Sequence, residues 1–341
     1  MNFYMTTEPM VQDRHWANLY MKGAMQEVAS LKGKLLILPL AKIRGEKEDI
    51  VIVNSVSEKW TTQCVRSLLA RGMRPAVLAP VSNISGISTV SFDFYGAYRM
   101  LIGKLMRMGA RSLCFIGAVI TSYNDREKIR AFTDCGLPIE SVFVNEGDLS
   151  ETFAAAAARL DEFDGILFPH DLIAYAFYRQ YADKIKNRRL SGISNTDIAD
   201  VKIGGNYIGV PMDCIEIGRQ AVMLCSYLAR NRGVGEMHVR VGKFGQYEGK
   251  NGVAAEGKVV NYYRDARVNE LLKYQNMLSK MLPSDKDIIK AFLSDKTYTS
   301  IAFDCFISVP TVKYRLKRMS SLCGFSDMQA WKKWLREMEH G

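Results

Sequence analysis

A turn followed by a short basic helix is predicted by Ile307-Ser308-Val309-Pro310-Thr311-Val312-Lys313-Tyr314-Arg315-Leu316-Lys317-Arg318. Ser308 is a good N-cap residue, and Pro310 falls in the first helical turn, where its missing N–H costs nothing. Apolar residues recur at positions i, i+4 and i+7, which predicts one buried stripe along the helix, made of Val312, Leu316 and Met319.

The other faces of this predicted helix carry hydroxyl, aromatic and cationic side chains and no acidic residue. A dry stripe opposite a cationic face suits a helix that lies in the major groove of DNA beside the phosphates. The residues predicted to contact DNA are Ser308, Thr311, Lys313, Tyr314, Arg315, Lys317 and Arg318. The alternative is an ordinary amphipathic helix whose charged face is only solvated.

The preceding segment predicts the remaining helices of a helix-turn-helix unit. Ser284-Asp285-Lys286-Asp287 has the S-x-x-D spacing of a helix start. A second short helix is predicted to begin near Thr297, and its Ala302 suits a close crossing of two helices.

These motifs resemble the DNA-binding domain of LuxR-type transcription regulators. The family pattern "I-A … L-x-I-S-x-x-T-V-K … K-L-G-x-S-D" is matched here by Ile301-Ala302, Cys305-Phe306-Ile307-Ser308, Thr311-Val312-Lys313 and Leu322-Cys323-Gly324-Phe325-Ser326-Asp327. The resemblance implies a DNA-binding domain over residues 283–341. The chain departs from the family in having Asp295-Lys296 in place of a glycine and Ser300 in place of a glutamate.

Length and charge agree with a DNA-binding protein of more than one domain. A chain of 341 residues predicts two or three domains, and the net charge of +10 suggests a polyanionic partner. The chain has no apolar run of 18 residues, and its first residues do not form a signal peptide. Seven scattered cysteines without C-x-x-C spacing indicate reduced thiols rather than disulfides or a zinc site. We therefore expect a cytoplasmic protein with no membrane partner.

Residues 30–230 alternate short apolar runs with helical patterns, which predicts βαβ units and parallel sheets. The predicted buried strands are 35–38, 50–53, 75–78, 113–116, 142–144, 165–168 and 190–193. The predicted helices between them are 61–71, 95–108, 125–135, 150–160 and 171–182. Ligands of such sheets bind beyond the carboxyl ends of the strands, so the turns that follow the strands are the place to look for a site.

Those turns resemble the ligand-binding domain of LacI/GalR regulators, which is related to type I periplasmic binding proteins. For example, Asp164-Gly165-Ile166-Leu167-Phe168-Pro169-His170-Asp171-Leu172-Ile173-Ala174 follows the family's "D-A-I-x-x-x-N-D-x-x-A". Similar matches follow in order at 91–97, 105–117, 124–132, 192–199 and 211–222. The resemblance implies an α/β fold in which residues 1–250 form two lobes around a cleft. The DNA-binding module here is C-terminal, whereas that family places it at the N-terminus.

Residues 251–282 are predicted to link the two domains. Glycines among polar residues at 245–258 indicate a flexible junction. A helix is predicted over 261–282, with apolar spacing that suits pairing between two protomers. The alternative is that this helix packs on its own ligand-binding domain.

The resemblance also implies residues that bind a small-molecule effector, such as a sugar or a sugar derivative. The candidates are Trp16, Asp93, Arg126, Lys128, His170, Ser194 and Asn195. Lys128 matches a family arginine, His170 stands where the family often has asparagine, and Ser194 stands where it usually has a ligand-binding aspartate. Each has a structural alternative: Asp93 as a helix cap, Trp16 as a core residue, and the cations as solvated helix charges. Glu8 and Gln12 are weaker candidates.

No catalytic or cofactor motif is found. The sequence has no G-x-S-x-G, H-E-x-x-H or Walker loop, and no cofactor is predicted. The predicted function is a homodimeric transcription regulator that binds double-stranded DNA under the control of a small molecule. One alternative is a regulator whose ligand-binding domain serves only for dimerisation or protein docking, and a second is an α/β enzyme fused to a DNA-binding module.

Overall fold

The computed structural model describes residues 2–12, 14–46, 49–79, 84–196, 198, 202–242 and 265–340. The chain divides into two compact units, an N-terminal unit of residues 1–261 and a C-terminal unit of residues 262–341. The predicted flexible junction at 245–258 lies outside the described residues.

The N-terminal unit contains two parallel sheets, one in each of two lobes. Lobe 1 has six strands in the order β11-β5-β4-β3-β1-β2. Their bounds are β1 Asn2–Thr7, β2 Lys34–Ile37, β3 Ile50–Asn54, β4 Arg74–Val77, β5 Ser88–Phe92 and β11 His238–Val241. Lobe 2 has five strands in the order β10-β9-β8-β6-β7. Their bounds are β6 Leu113–Ala118, β7 Val142–Val144, β8 Gly165–Phe168, β9 Arg189–Ser194 and β10 Tyr207–Pro211.

Helices cover both sheets. Lobe 1 is packed by α1 His15–Ser30, α2 Glu58–Ala70 and α7 Cys214–Arg230. Lobe 2 is packed by α3 Phe94–Arg107, α4 Tyr123–Asp134, α5 Leu149–Ala158 and α6 Asp171–Ile185. Every strand pair is parallel, and the core strands are almost wholly buried, as apolar strands covered on both faces should be. The predicted two-lobed α/β fold with parallel sheets is confirmed.

The chain passes between the lobes twice within the described residues. It leaves lobe 1 after β5 and enters lobe 2 with α3, and it returns after β10 with α7. In parallel α/β sheets, ligands bind beyond the carboxyl ends of the strands, so the ends of these strands are where the predicted ligand residues have to be sought.

Two glycines allow α1 and α7 to cross closely in lobe 1. A Cβ atom added to Gly23 would lie 1.9 Å from the carbonyl oxygen of Ile215, and one added to Gly218 would lie 2.0 Å from that of Tyr20. Any larger residue would force these helices apart, so both positions require glycine.

Residues 265–340 of the C-terminal unit contain helices and no strand. The helices are α8 Ala266–Leu278, α9 Pro283–Leu293, α10 Tyr298–Asp304, α11 Val309–Leu322 and α12 Met328–His340. The α8 helix packs against α11 and α12: the Tyr274 ring contacts Trp334 edge-on, and Asn276 Nδ2 donates to the carbonyl oxygen of Leu322. The helix predicted over 261–282 is thus part of this helical unit, an arrangement that neither sequence-based alternative included.

The helix starts show which local patterns the chain uses. The N-cap predicted at Ser308 is confirmed, because its Oγ accepts from Thr311 N at 3.3 Å. The helix predicted to begin near Thr297 starts at Tyr298, and Thr297 Oγ1 caps it by accepting from Ser300 N at 3.2 Å. The S-x-x-D prediction is off by two residues, since Leu282 rather than Ser284 is the N-cap of α9, and Asp285 rather than Asp287 accepts from its backbone N–H, at 2.8 Å. Proline at the first helical position fixes the start there.

Asp295 occupies the position of the resembled family's glycine, and its backbone explains how the exchange is tolerated. Its φ is +60°, a left-handed conformation that aspartate adopts more readily than most residues. Its carboxylate lies 2.6 Å from Lys332 Nζ and 2.6 Å from Arg336 Nη2, so two cations of α12 hold it. These two cations lower the pKa of the Asp295 carboxyl.

Candidate functional site

Uncharged, buried polar side chains stand at the ends of strands in each of the two lobes. Asn54 ends β3 and is fully buried, yet neither side-chain atom has a hydrogen-bond partner among the described residues. The hydroxyls of Thr6 and Thr7 at the end of β1, Ser194 Oγ and Asn195 Oδ1 after β9 share this property. Buried polar atoms are normally paired, so this set of donors and acceptors suits a polar, uncharged molecule.

Lys128, the predicted ligand cation, is instead part of a buried network. Its Nζ lies 2.7 Å from Asp125 Oδ1 and donates to the carbonyl oxygen of Pro169 at 3.0 Å. It also lies 4.8 Å from the centre of the Phe94 ring. Asp125 Oδ2 in turn accepts from the backbone N–H of Val119. Lys128 therefore joins α4 to the ends of β6 and β8, and its charge is compensated within the protein.

Arg126, the second predicted cation, reaches from lobe 2 to lobe 1. Its Nη1 lies 3.1 Å from Glu58 Oε2 at the start of α2 and donates to the carbonyl oxygen of Ile120 at 3.0 Å. Its guanidinium carbon lies 4.6 Å from the centre of the Tyr123 ring. These contacts make it a link between the lobes.

His170 lies at the start of α6 and is buried. Burial, with a smaller contribution from the positive charge of Lys128, lowers the pKa of His170 to about 3. The imidazole is therefore neutral near pH 7 and cannot offer a positive charge to a ligand.

Asp93 has the surroundings of a helix cap and Trp16 those of a core residue, which are the structural alternatives to a ligand role. Asp93 Oδ1 accepts from the backbone N–H of Gly96 at 3.0 Å and caps α3. Arg240 of β11 lies 3.7 Å from the same oxygen. The Trp16 ring contacts Tyr20 edge-on at 5.2 Å and packs against the core.

Three residues near the strand ends make structural contacts that the sequence analysis did not predict. Glu8 is buried and accepts from the backbone N–H groups of Val56 and Ser57 at 3.0 and 3.1 Å. Asn54 follows the apolar run of β3 directly, a signal that could have selected it. Tyr123 is buried in a cluster of lobe 1 although it belongs to α4 of lobe 2, and no local pattern predicts such a contact.

The α11 helix of the C-terminal unit divides its predicted DNA-binding residues into two groups. Lys313, Tyr314 and Lys317 are exposed, and Tyr314 keeps 69% of its surface accessible. Arg315 instead points to α9, where its Nη1 donates to Ser284 Oγ at 2.6 Å and to Asp285 Oδ1 at 3.2 Å.

The remaining predicted residues are Ser308 and Thr311 at the start of this helix and Arg318 in its second half. The hydroxyls of Ser308 and Thr311 are 2.8 Å apart and cap the helix start. Arg318 is exposed and donates to the carbonyl oxygen of Lys280 at 3.1 Å. The buried stripe of Val312, Leu316 and Met319 lies beneath them, as predicted.

Three buried cysteines have thiols of low reactivity. Burial raises the pKa of the Cys64, Cys214 and Cys225 thiols to about 12, so these thiols are not nucleophiles near pH 7. No group of three His, Cys, Asp or Glu side chains in the described part of the chain is arranged to hold a metal ion. None of the helices in that part is long and apolar enough to cross a membrane.

Comparison with known proteins identifies the fold. No protein-family profile and no curated protein sequence matches the chain. Solved structures do match: a LacI-family transcriptional regulator, CCPA from Weissella paramesenteroides with bound sucrose, aligns with a TM-score of 0.54 at 16% identity, covering 71% of this chain and 95% of that one. A CelR–cellobiose complex aligns with a TM-score of 0.57 at 13% identity over 70% of this chain and 81% of that one. A dimeric lac repressor with a C-terminal deletion gives 0.54 at 14% identity over 70% and 96%.

Proposed function

We propose that this chain is a transcription regulator that binds double-stranded DNA through its C-terminal unit. The observation that carries this proposal is the exposed, acid-free face of α11, on which Lys313, Tyr314 and Lys317 point outward. Such a face over a buried apolar stripe is typical of a helix that enters a major groove. In this proposal the protein is not an enzyme and acts in the cytoplasm.

The arrangement of α10 and α11 supports a LuxR-type helix-turn-helix module. The two helices are joined by a turn at residues 305–308 and pack against each other, with Ile301 and Ala302 buried. Phe306 in the turn has a φ of +54°, which allows the chain to reverse without a glycine. This geometry is that of two helices joined by a short turn, as in DNA-binding modules of this kind.

We further propose that a small, uncharged polar molecule, such as a sugar, binds between the lobes and regulates the protein. The unpaired side-chain atoms of Asn54, Ser194 and Asn195 are hydroxyl and amide groups, which suit hydroxyl-rich ligands. The charges of Lys128 and Arg126 are met inside the protein, which argues against a phosphate or a carboxylate. The neighbouring structures with bound sucrose and cellobiose support the same class of ligand.

A homodimer fits this function. Two recognition helices about 34 Å apart can read two successive major grooves of DNA, so the proposed operator is an inverted repeat. The neighbouring dimeric lac repressor supports this assembly.

Selection of genomic DNA fragments with the purified full-length chain tests the proposal. The test variant is Lys313→Ala combined with Lys317→Ala. The matched control is Lys22→Ala combined with Lys104→Ala, which removes two exposed lysines of the N-terminal unit. Enrichment of an inverted repeat by the wild type and the control, and its loss in the test variant, is the expected result. Equal enrichment by both variants would exclude this face as the DNA interface.

A regulator whose N-terminal unit binds no ligand is the second candidate. The internal pairing of Lys128 and the inter-lobe contact of Arg126 favour it, because both predicted cations are already occupied. Thermal denaturation with a panel of sugars separates the two, since a true ligand at 100 times its dissociation constant stabilises the folded state by about 2.7 kcal/mol. No stabilisation across the panel would favour the ligand-free regulator.

A further inference from the structure

Tyr123 belongs to lobe 2 by sequence and to lobe 1 by its packing. It is the first residue of α4, which follows β6 in lobe 2. Its side chain is 4% exposed and belongs to a hydrophobic cluster whose other buried members all come from lobe 1, among them Val51, Val53, Val65 and Leu68. The core of lobe 1 is therefore completed by a ring from the other lobe.

The backbone next to Tyr123 also joins the lobes. Ser122 and Ser57 form an isolated antiparallel β-bridge, which connects the start of α4 to the start of α2. Ser57 is fixed on the lobe 1 side, because both its N–H and its hydroxyl donate to the buried carboxylate of Glu8. The bridge therefore connects α4 to a residue of lobe 1 that is itself held by hydrogen bonds.

Arg126 adds a charged contact one helical turn after Tyr123. It pairs with Glu58 of lobe 1 at 3.1 Å while its guanidinium lies over the Tyr123 ring. Both side chains of the ion pair are about one-fifth exposed, so the pair is partly shielded from water. One arginine therefore stabilises the position of the ring and the contact between the lobes.

We infer that Ser57, Glu58, Ser122, Tyr123 and Arg126 form a latch that holds the two lobes together. The latch uses a buried ring, a backbone bridge and an ion pair, and each of them joins α4 to lobe 1. Separation of the lobes at this edge therefore requires that the ring contact, the backbone bridge and the ion pair all break.

Hydrogen exchange of the full-length chain, without DNA or ligand, tests the latch. Tyr123→Ala combined with Arg126→Gln is expected to raise the amide exchange rate of residues 55–61 and 119–126 roughly tenfold, because a buried ring and a cation–π contact are lost together. Tyr123→Phe keeps the ring and is expected to exchange like the wild type. Unchanged exchange in the double variant would overturn the latch.

Arg159→Gln is the matched control. Arg159 also pairs with a carboxylate, Glu162 at 2.7 Å, donates to a backbone oxygen and lies near an aromatic ring, but all its partners are in lobe 2. In Arg159→Gln, the amide exchange rate of residues 55–61 is expected to equal that of the wild type. A rate as high as in the double variant would also overturn the latch.

Protection of β3 and β8 shows whether the variants remain folded. If the double variant unfolds, the single variant Arg126→Gln replaces it as the test of the latch. Its amide exchange rate at residues 55–61 is expected to rise roughly threefold, because one partly exposed ion pair is lost. No increase in that variant would overturn the latch. Because the measurement involves no DNA, a failure of the DNA selection would leave its result unaffected.

Discussion

Lys128 of α4 and Lys313 of α11 are both cations that the sequence predicts to bind a ligand, and their surroundings differ completely. Lys128 is buried against Asp125 and the carbonyl oxygen of Pro169, whereas Lys313 is exposed on a face without acidic residues. The difference teaches that a cation in a resembled motif is available to a ligand only if the fold leaves its charge uncompensated. Mutations of the two classes of cation should therefore affect different properties.

The largest effect is expected from Lys128→Met. The Asp125 carboxylate would remain buried without its cation, and breaking a buried pair from one side costs roughly 3–5 kcal/mol. Lys313→Met removes an exposed charge and should change stability by no more than about 0.5 kcal/mol. Urea unfolding of the N-terminal and C-terminal units measures both, and equal losses would contradict the comparison.

The buried His170 predicts how the N-terminal unit responds to acid. Its folded-state pKa of about 3 lies below the ordinary value of 6.5, so below pH 6.5 the unfolded chain binds a proton that the folded chain does not. Stability is therefore lost as the pH falls from 6.5 towards 3, by about 2 kcal/mol between pH 7 and 5. His170→Asn should remove this part of the loss in unfolding curves at the two pH values. The same slope in both proteins would show that His170 does not cause it.

Arg315→Ala sharpens the comparison within a single helix. Arg315 is the cationic partner of the buried Asp285, which keeps one hydrogen bond from Leu282 N when the arginine is removed. We expect the C-terminal unit to lose about 1.5 kcal/mol of unfolding free energy. Thermal denaturation checks this value, with Lys317→Ala as a control that should melt like the wild type.

The smallest effect on free energy is expected from Lys317→Ala at the proposed DNA interface. Loss of one phosphate contact should weaken binding to all sequences alike and reduce the slope of log K against log salt by roughly one. Titration of DNA at several salt concentrations measures the slope. An unchanged slope would place Lys317 outside the interface.

Local patterns predicted most of the fold. The apolar runs of β3, β6 and β8 and the stripe of α11 follow from periodicity, because burial on both faces or on one face leaves a direct mark in the sequence. The strands β1, β5, β10 and β11 were not predicted, since polar residues or glycine, such as Ser91 in β5, Gly209 in β10 and Arg240 in β11, break up their apolar runs.

The site was harder to predict because its contacts join distant residues. Arg315 and Asp285 are 30 residues apart, and Tyr123 completes a core whose other members precede it by many residues. Asp125 stands only three residues before Lys128, but the burial of this pair depends on the ends of β6 and β8. Sequence patterns indicated which cations were present, and only the fold indicates which of them remain available.

The hydrogen bond between Asp93 and β11 has a mechanical consequence. The backbone N–H of Asp93 donates to the carbonyl oxygen of Val241 at 2.9 Å. Asp93 is the point at which the chain crosses into lobe 2, and Val241 ends the last described strand before the chain continues to the C-terminal unit. A rotation of lobe 2 about this crossover therefore acts directly on β11 of lobe 1, because Asp93 is hydrogen-bonded to its last residue.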